Sequence, residues 1–467
     1  MRSDVRTALP TAREALAAGA ALTAGALAAF VLTNPRSRSW AVYASDRELD
    51  RWLSSQPTGV VVGVVLAVIA VAGLQRSGSR RTAWVLSALC VIVLAAAHWT
   101  VPDVGDIDTL IALHFGKTAA AGVLLGSSVA GSWGARIPQV AVVLGVSATY
   151  VLAGVQPPAR GDSEYLEPAS LSTSAIGEPS WILLGAAFAL TLAAAVVASK
   201  QFRVQRLDHP TLLVALGGAL TLAVANRLLG AWIEDQEFGS QFRVWTVVVV
   251  SLAVVLALTV TVARMLPGLD GRFVLATTAV AAGAITVIND LRAPSVSVHP
   301  WLALVVGVVA VACGMGLPAR SERLRIRQSV LGITVVAVVP LVSVVAPEFG
   351  SNGALLVVRL AVLGIGVGLA VGGSIPGAVS VAALALALPF GSLVFAAATT
   401  IPLSRVVSLE DLGSAGSNLP HRLAGAAMFA TVLACGAALA RHRSAVRATS
   451  EVPRHEDSGD NPPPETP

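Results

Sequence analysis

Two lysines in 467 residues, three cysteines, three tyrosines and a charged fraction of only 13% are the first limits this chain sets on itself. Soluble domains carry roughly 25% charged residues, so this scarcity excludes an ordinary water-facing surface. The cysteines, Cys90, Cys313 and Cys435, each lie inside an apolar run. They read as small apolar packing groups and exclude a disulfide framework or a metal site. Aspartate and glutamate are confined to tails, loops and the ends of apolar runs, with Glu14 and Asp290 at the margins. A carboxylate at the midplane of a membrane, the usual means of relaying a proton, is therefore not expected. No H-E-x-x-H, no G-x-S-x-G and no paired aspartates within an apolar run occur, and no polar loop is long enough to assemble a site. The expectation is a protein that is not an enzyme, with no metal and no cofactor.

What is abundant is apolar: 55% hydrophobic residues and a mean hydropathy of +0.75. A hydrocarbon core about 30 Å thick takes about 20 apolar residues per helix, and fourteen candidate segments are present. They run over 15–33, 58–74, 82–99, 109–130, 138–155, 181–199, 211–232, 244–263, 273–289, 301–317, 329–346, 353–372, 377–398 and 422–440. Lipid cannot satisfy an open strand edge, and the alternating pattern of a barrel is missing, so the fold class is an all-α integral membrane protein of about 14 transmembrane helices. No small-residue cleavage site ends the first segment before "TNPRSRSW", so that segment is expected to remain.

Placing the N-terminus in the cytoplasm puts 20 of the 32 Lys and Arg residues on the inner side, 9 outside and 3 within spans. Cytoplasmic loops carry this excess, and an even span count returns the C-terminus to the same side. The net charge of +5 then reflects arginines facing the inner leaflet and calls for no nucleic-acid partner. Trp99, Trp181, Trp232 and Trp301 fall near outer span ends, and Trp84 and Trp133 near inner ones, where amphipathic rings are expected. Thirty arginines beside abundant alanine and valine suggest a GC-rich bacterial genome, hence a plasma (inner) membrane.

Three charged side chains lie within spans: Lys117, Arg227 and Arg359. A charge at the bilayer centre costs at least about 2.5 to 3.5 kcal/mol, so its presence there points to function. Lys117 sits in "LHFGKTAAAG", whose Gly116, Lys117 and Thr118 match the end of a phosphate loop. Ile111 occupies the position of that motif's first glycine, and the flanks are apolar, which excludes nucleotide binding. Lys117 and Arg359 both fall in the outer halves of their spans and are placed to face one another, with Asp108 or Asp290 available to neutralise the lysine. His114, one turn above Lys117, shares its face and titrates near neutral pH. Arg227 lies close enough to its helix end to reach interfacial water. "DVGDID" (103–108) reads as a solvated helix entry rather than a cation site.

The loop "GLQRSGSRRTAW" (73–84) resembles the G-x-L-A-D-R-x-G-R-R motif of the major facilitator superfamily in Arg76, Gly78, Arg80 and Arg81, with Gln75 where that motif has aspartate. "GLPARSERLRIRQSVLG" (316–332) is similar to the repeat of that motif, with Glu322 and Arg323 in place of its D-R pair. "LIALHFGKTAAAGVLLGSSVAG" resembles the family's R-x-x-Q-G-x-G-A helix. "RLDHPTLLVALGGALTLAVANRLLGAW" (206–232) and "LAVLGIGVGLAVGGSIPG" (360–377) resemble parts of its fourteen-span branch, grouped with drug:proton antiporters. The resemblance implies a two-bundle, major-facilitator-like fold: an N-terminal six-helix bundle over 1–199, two inserted helices over 200–264, a C-terminal six-helix bundle over 265–443 and a disordered cytoplasmic tail over 444–467. It implies a cavity at the midplane lined by spans 1, 4, 9 and 12, with His114, Lys117, Arg359 and Asp290 as substrate candidates. Arg76, Gly78, Arg80, Arg81, Glu322 and Arg323 are the inner-gate candidates. The activity implied is alternating-access transport of amphipathic or anionic small molecules or lipids across the bilayer. Two alternatives stay open: a transport-inactive scaffold of the same fold that assembles with envelope proteins, and a lipid-precursor flippase of another fourteen-helix fold.

Overall fold

The computed structural model describes residues 12–33, 46–100, 107–155, 178–198, 208–234, 241–292, 298–316, 322–350, 352–387 and 419–450. Among these residues the chain is helical, without a strand. The helices are α1 (Ala12–Thr33), α2 (Asp46–Ser77), α3 (Arg80–Thr100), α4 (Ile107–Ser132), α5 (Arg136–Val151), α6 (Trp181–Val197), α7 (His209–Glu234), α8 (Gln241–Met265), α9 (Gly268–Arg292), α10 (Pro300–Gly316), α11 (Glu322–Val345), α12 (Gly353–Gly372), α13 (379–387) and α14 (Leu419–Ser450). Nine of those described are long and apolar enough to cross a membrane, and four more are shorter apolar helices.

Two helices outrun their apolar segments. α2 begins at Asp46, in the stretch 34–57 expected as a loop, because Arg47, Glu48, Leu49 and Arg51 favour helix and Asp46 brings negative charge to its N-terminus. α14 continues to Ser450, into the tail expected to be disordered, since "RHRSAVR" combines helix-forming alanine and arginine with positive charge near a helix C-terminus.

Burying side chains against one another gains little where lipid tails are equally apolar, so helices associate here through small residues that let backbones approach. A Cβ on Gly122 of α4 would stand 2.0 Å from the carbonyl oxygen of Gly63 in α2, and one on Gly126 would stand 2.3 Å from that of Ala67. The matching seam of the second half joins α10 to α12, where a Cβ on Gly368 would lie 2.3 Å from the carbonyl oxygen of Val311. Many buried hydroxyls bond back into their own helices, as Thr277 of α9 does to the carbonyl of Phe273 and Ser128 of α4 to that of Leu125, which satisfies those groups without water.

The packing repeats. In the first half α4 packs on α1, α2 and α3, and α6 on α1 and α3. In the second, α12 packs on α9, α10 and α11, and α14 on α9 and α11. α7 and α8 stand outside this repeat, α7 against α2 and α8 against α9 and α14. The halves meet through α5, which touches α10 and α12 and whose Tyr150 hydroxyl donates to the carbonyl of Ala281 in α9 at 2.9 Å. α9 is the most enclosed helix: every residue from Asp270 to Ile288 is buried.

Candidate functional site

Lys117 and Arg359 occupy matching places, each on the fourth helix of its half and each near the end opposite the arginine-rich turn between α2 and α3. Lys117 lies ten residues into α4, about 15 Å along the axis, and Arg359 six residues into α12, about 9 Å. Each is buried, and each is bound by a carboxylate.

The Lys117 ammonium donates to Glu178 Oε1. Glu178 lies in the short non-helical segment before Ser180, the N-cap of α6, whose side chain accepts from the Leu183 amide. The other carboxylate oxygen of Glu178, Oε2, is 2.9 Å from Nδ1 of His98, near the end of α3. The His98 ring in turn stands T-shaped to the Trp181 ring, with centroids 4.5 Å apart. One carboxylate thus takes two nitrogens from two helices. The Lys117 side chain is 5% exposed, that of Glu178 7% and that of His98 17%.

Arg359 Nη1 donates to Asp290 Oδ2 at 2.7 Å, in the last turn of α9, and Nη2 donates to Ser343 Oγ at 2.7 Å on α11. His421, at the start of α14, lies within electrostatic reach of Asp290. Arg359 Nε is buried with no hydrogen-bond partner among the described residues. The third helix of each half contributes to its cluster, His98 or Ser343, whereas the acids come from different elements, Glu178 from the segment ahead of α6 and Asp290 from the last turn of α9.

Sequence reasoning located both cations and misassigned their surroundings. Asp290, offered as a partner for Lys117, is bound to Arg359. Each cation pairs with an acid of its own half, Lys117 with Glu178 and Arg359 with Asp290. The His114 ring lies against α2, where a Cβ on Gly59 would stand 2.6 Å from its Nε2. The side chain of Arg227 lies outside the described residues. Glu178 was missed because "STSAIGEPSW" reads as a polar loop; its one signal is proximity to the apolar start of α6.

The arginine-rich face holds a second construction, which joins the halves. Arg80 Nη2 donates to the Trp133 carbonyl at 2.5 Å, in the turn between α4 and α5. Trp133 Nε1 donates at 3.1 Å to the carbonyl of Gly377, in the matching turn between α12 and α13. Asp270, in the first turn of α9, accepts from the amides of Gly377 at 2.8 Å and Ala378 at 3.3 Å, capping α13. The Gly377 peptide is thereby held from both sides. Of the inner-gate candidates, Arg80 joins this latch, Gly78 makes the preceding turn at φ +65, and Arg76 and Arg81 are exposed. Glu322 and Arg323 open α11, and their side chains lie outside the described residues. Trp84 and Trp133 are not interfacial as expected: they are 2% and 3% exposed, Trp84 against Gly131 and Trp133 in the latch. Trp99, Trp181 and Trp301, at the other face, are exposed as an aromatic belt requires.

Trp133→Phe removes the side-chain hydrogen bond by which α4's turn grips the opposite half, a loss of about 1 kcal/mol. A cysteine placed at buried Ser374 beside the latch is then expected to react about fivefold faster with a polar maleimide, a factor of that energy. Unchanged labelling would show that the latch does not hold the face shut.

Together these features define an all-α, multi-pass membrane protein with the two-bundle, major-facilitator-like fold that its motifs imply. Among solved structures it is similar to an auto-inhibited POT family peptide transporter, with 14% identity, 92% of this chain and 96% of that chain covered and a TM-score of 0.51. It is also similar to the inward-open xylose transporter XylE from E. coli (12% identity, 90% and 94% covered, TM-score 0.46). A third is a bacterial homolog of the human lysosomal transporter Spinster, inward-facing and unoccupied (13% identity, 94% and 98% covered, TM-score 0.45). At such identities the likeness is one of fold. No protein-family model matches the sequence, and no curated protein does.

Proposed function

We propose that the chain is a carrier of anionic small molecules or anionic lipids, working by alternating access between an N-terminal bundle (1–199) and a C-terminal bundle (265–443), with 200–264 as an inserted pair of helices. Its termini face the cytoplasm and its membrane is the plasma membrane. The observation that carries this reading is the pair of buried cations at matching positions of the two halves, each bound to a carboxylate at a helix end. An ion pair taken out of water gains little stability over apolar packing, and intramembrane charges mark substrate and ion pathways. The unpartnered Nε of Arg359 adds to this, because a buried donor left unsatisfied costs about 1 to 3 kcal/mol. The fold similarity to a peptide transporter supports carriage in general. The carboxylates supply groups able to exchange a proton, so the absence of acids at the midplane no longer argues against coupling to a gradient.

Purified protein in proteoliposomes, given labelled anionic and cationic amphiphiles with and without a pH gradient, tests this. Uptake of anions is expected, reduced about tenfold or more by Lys117→Ala and by Arg359→Ala, the factor carried by one lost charge-assisted hydrogen bond. Uptake of anions that both variants leave intact would sink the assignment of these cations. No uptake of any compound would favour the transport-inactive scaffold.

A further inference from the structure

The geometry points to Lys117 and His98 as a ready-made receptor for an organic carboxylate, held at present by the chain's own Glu178. We propose that the carboxylate of an aromatic or alkyl acid takes Glu178's place during binding.

Three observations carry this. Glu178 places one oxygen on the Lys117 ammonium and the other 2.9 Å from His98 Nδ1, so the two nitrogens already stand where a planar two-oxygen group needs them. They come from α4 and α3, which pack on each other, and this fixes their spacing independently of the acid between them. Glu178 itself is carried differently. It stands two residues ahead of the α6 N-cap, outside any helix, and the cap bond belongs to Ser180. Its departure therefore breaks no helical backbone hydrogen bond, whereas Lys117 and His98 are locked in helices. Beside the receptor, the Trp181 ring stands T-shaped to that of His98, with centroids 4.5 Å apart, and is itself about half exposed. An apolar body attached to the incoming carboxylate has an aromatic wall to lie against, whereas a small inorganic anion would leave that wall unused. The exchange is of like for like: one carboxylate leaves a charge-assisted pair and another enters, so the buried ammonium is not left without a counter-charge, the situation that carries the largest penalty.

This deepens the carrier reading above, on which its physiological meaning rests, but its test reads binding alone. The near absence of lysine makes that test clean: Lys117 and Lys200 are the only two side-chain amines in the chain. Acetylation by a neutral N-hydroxysuccinimide ester, followed by mass spectrometry, reports Lys117 with Lys200 as internal reference. In Glu178→Gln, Lys117 is expected to react about tenfold faster than in the unmodified chain, the factor of one charge-assisted hydrogen bond. Sodium benzoate is expected to return it to the original rate, and neutral benzamide to leave it fast. Adding His98→Ala is expected to abolish the benzoate protection while leaving Lys117 reactive. Where Glu178→Gln fails to fold, Glu178→Asp, one methylene too short to span both nitrogens, is read in the same way. A Lys117 that stays unreactive, or that reacts with no protection by benzoate, overturns the proposal and leaves a structural ion pair. Protection without uptake in proteoliposomes keeps the receptor and sinks the carrier; uptake of anions without protection does the reverse.

Discussion

Gly122→Val is expected to abolish the folded protein, detected as loss of a monodisperse peak in detergent and of protection at buried Cys90. The added Cβ would meet the oxygen, carbonyl carbon and Cα of Gly63 at 2.0, 2.6 and 2.7 Å. These are backbone atoms, so no rotamer change relieves the clash. α2 cannot simply move away, because α7 lies against it as well. Overpacking costs typically about 1 to 3 kcal/mol where side chains can shift. Here a whole seam must open, and the register contact between Gly126 and Ala67 one turn below opens with it. Gly73→Val, on the facing helix α2 with open space around its Cβ, is the control and is expected to leave the protein folded. Equal tolerance at both positions would show that the α2 and α4 backbones are not in contact.

Asp290→Ala is expected to be the most damaging change at the two clusters. It leaves the Arg359 guanidinium, with a side chain 7% exposed, without its carboxylate. Removing one member of a buried ion pair costs about 3 to 5 kcal/mol. Pairing it with Arg359→Leu removes the stranded charge as well, and the double variant is expected to recover most of the lost thermal stability. A double-mutant cycle read from melting in detergent measures the coupling. Additive effects of the two changes would mean that the contact between Arg359 and Asp290 contributes nothing to the fold.

The apolar runs made the helical fold legible, because nine of the described helices they form are long and apolar enough to span lipid. The glycine-rich "LAVLGIGVGLAVGG" forms most of α12, where a Cβ on Gly368 would lie 2.3 Å from the Val311 carbonyl oxygen, though the sequence offered it only as a family resemblance. The two cations were legible for the same reason, as isolated charges in apolar surroundings. Their partners were not. Glu178 and Asp290 stand at helix ends, where an acid looks solvated in sequence and becomes buried only when a neighbouring helix brings a cation against it. The Trp133 latch was hidden in a similar way: a tryptophan near a membrane face looks interfacial until the turn of the other half closes over it. Asp270 gave no signal at all, since its role is to cap a helix about a hundred residues further along the chain.

The enclosure of α9 carries a demand on biosynthesis. Among the described residues this helix packs on α8, α11, α12 and α14 and receives the Tyr150 hydroxyl of α5, and three of those walls, α11, α12 and α14, follow it along the chain. α14 begins at Leu419, more than a hundred residues after α9 ends at Arg292. At synthesis rates of roughly 5 to 20 residues per second, on the order of ten seconds pass before the last wall of its enclosure emerges from the ribosome. Until then the wall made by α14 is missing from around α9, whose buried residues include Asp270, Arg272 and three threonines. The second half therefore closes fully around α9 only when α14 arrives. Stalling translation before residue 419 should leave α9 open to lipid-phase crosslinking, and completing the chain should close it.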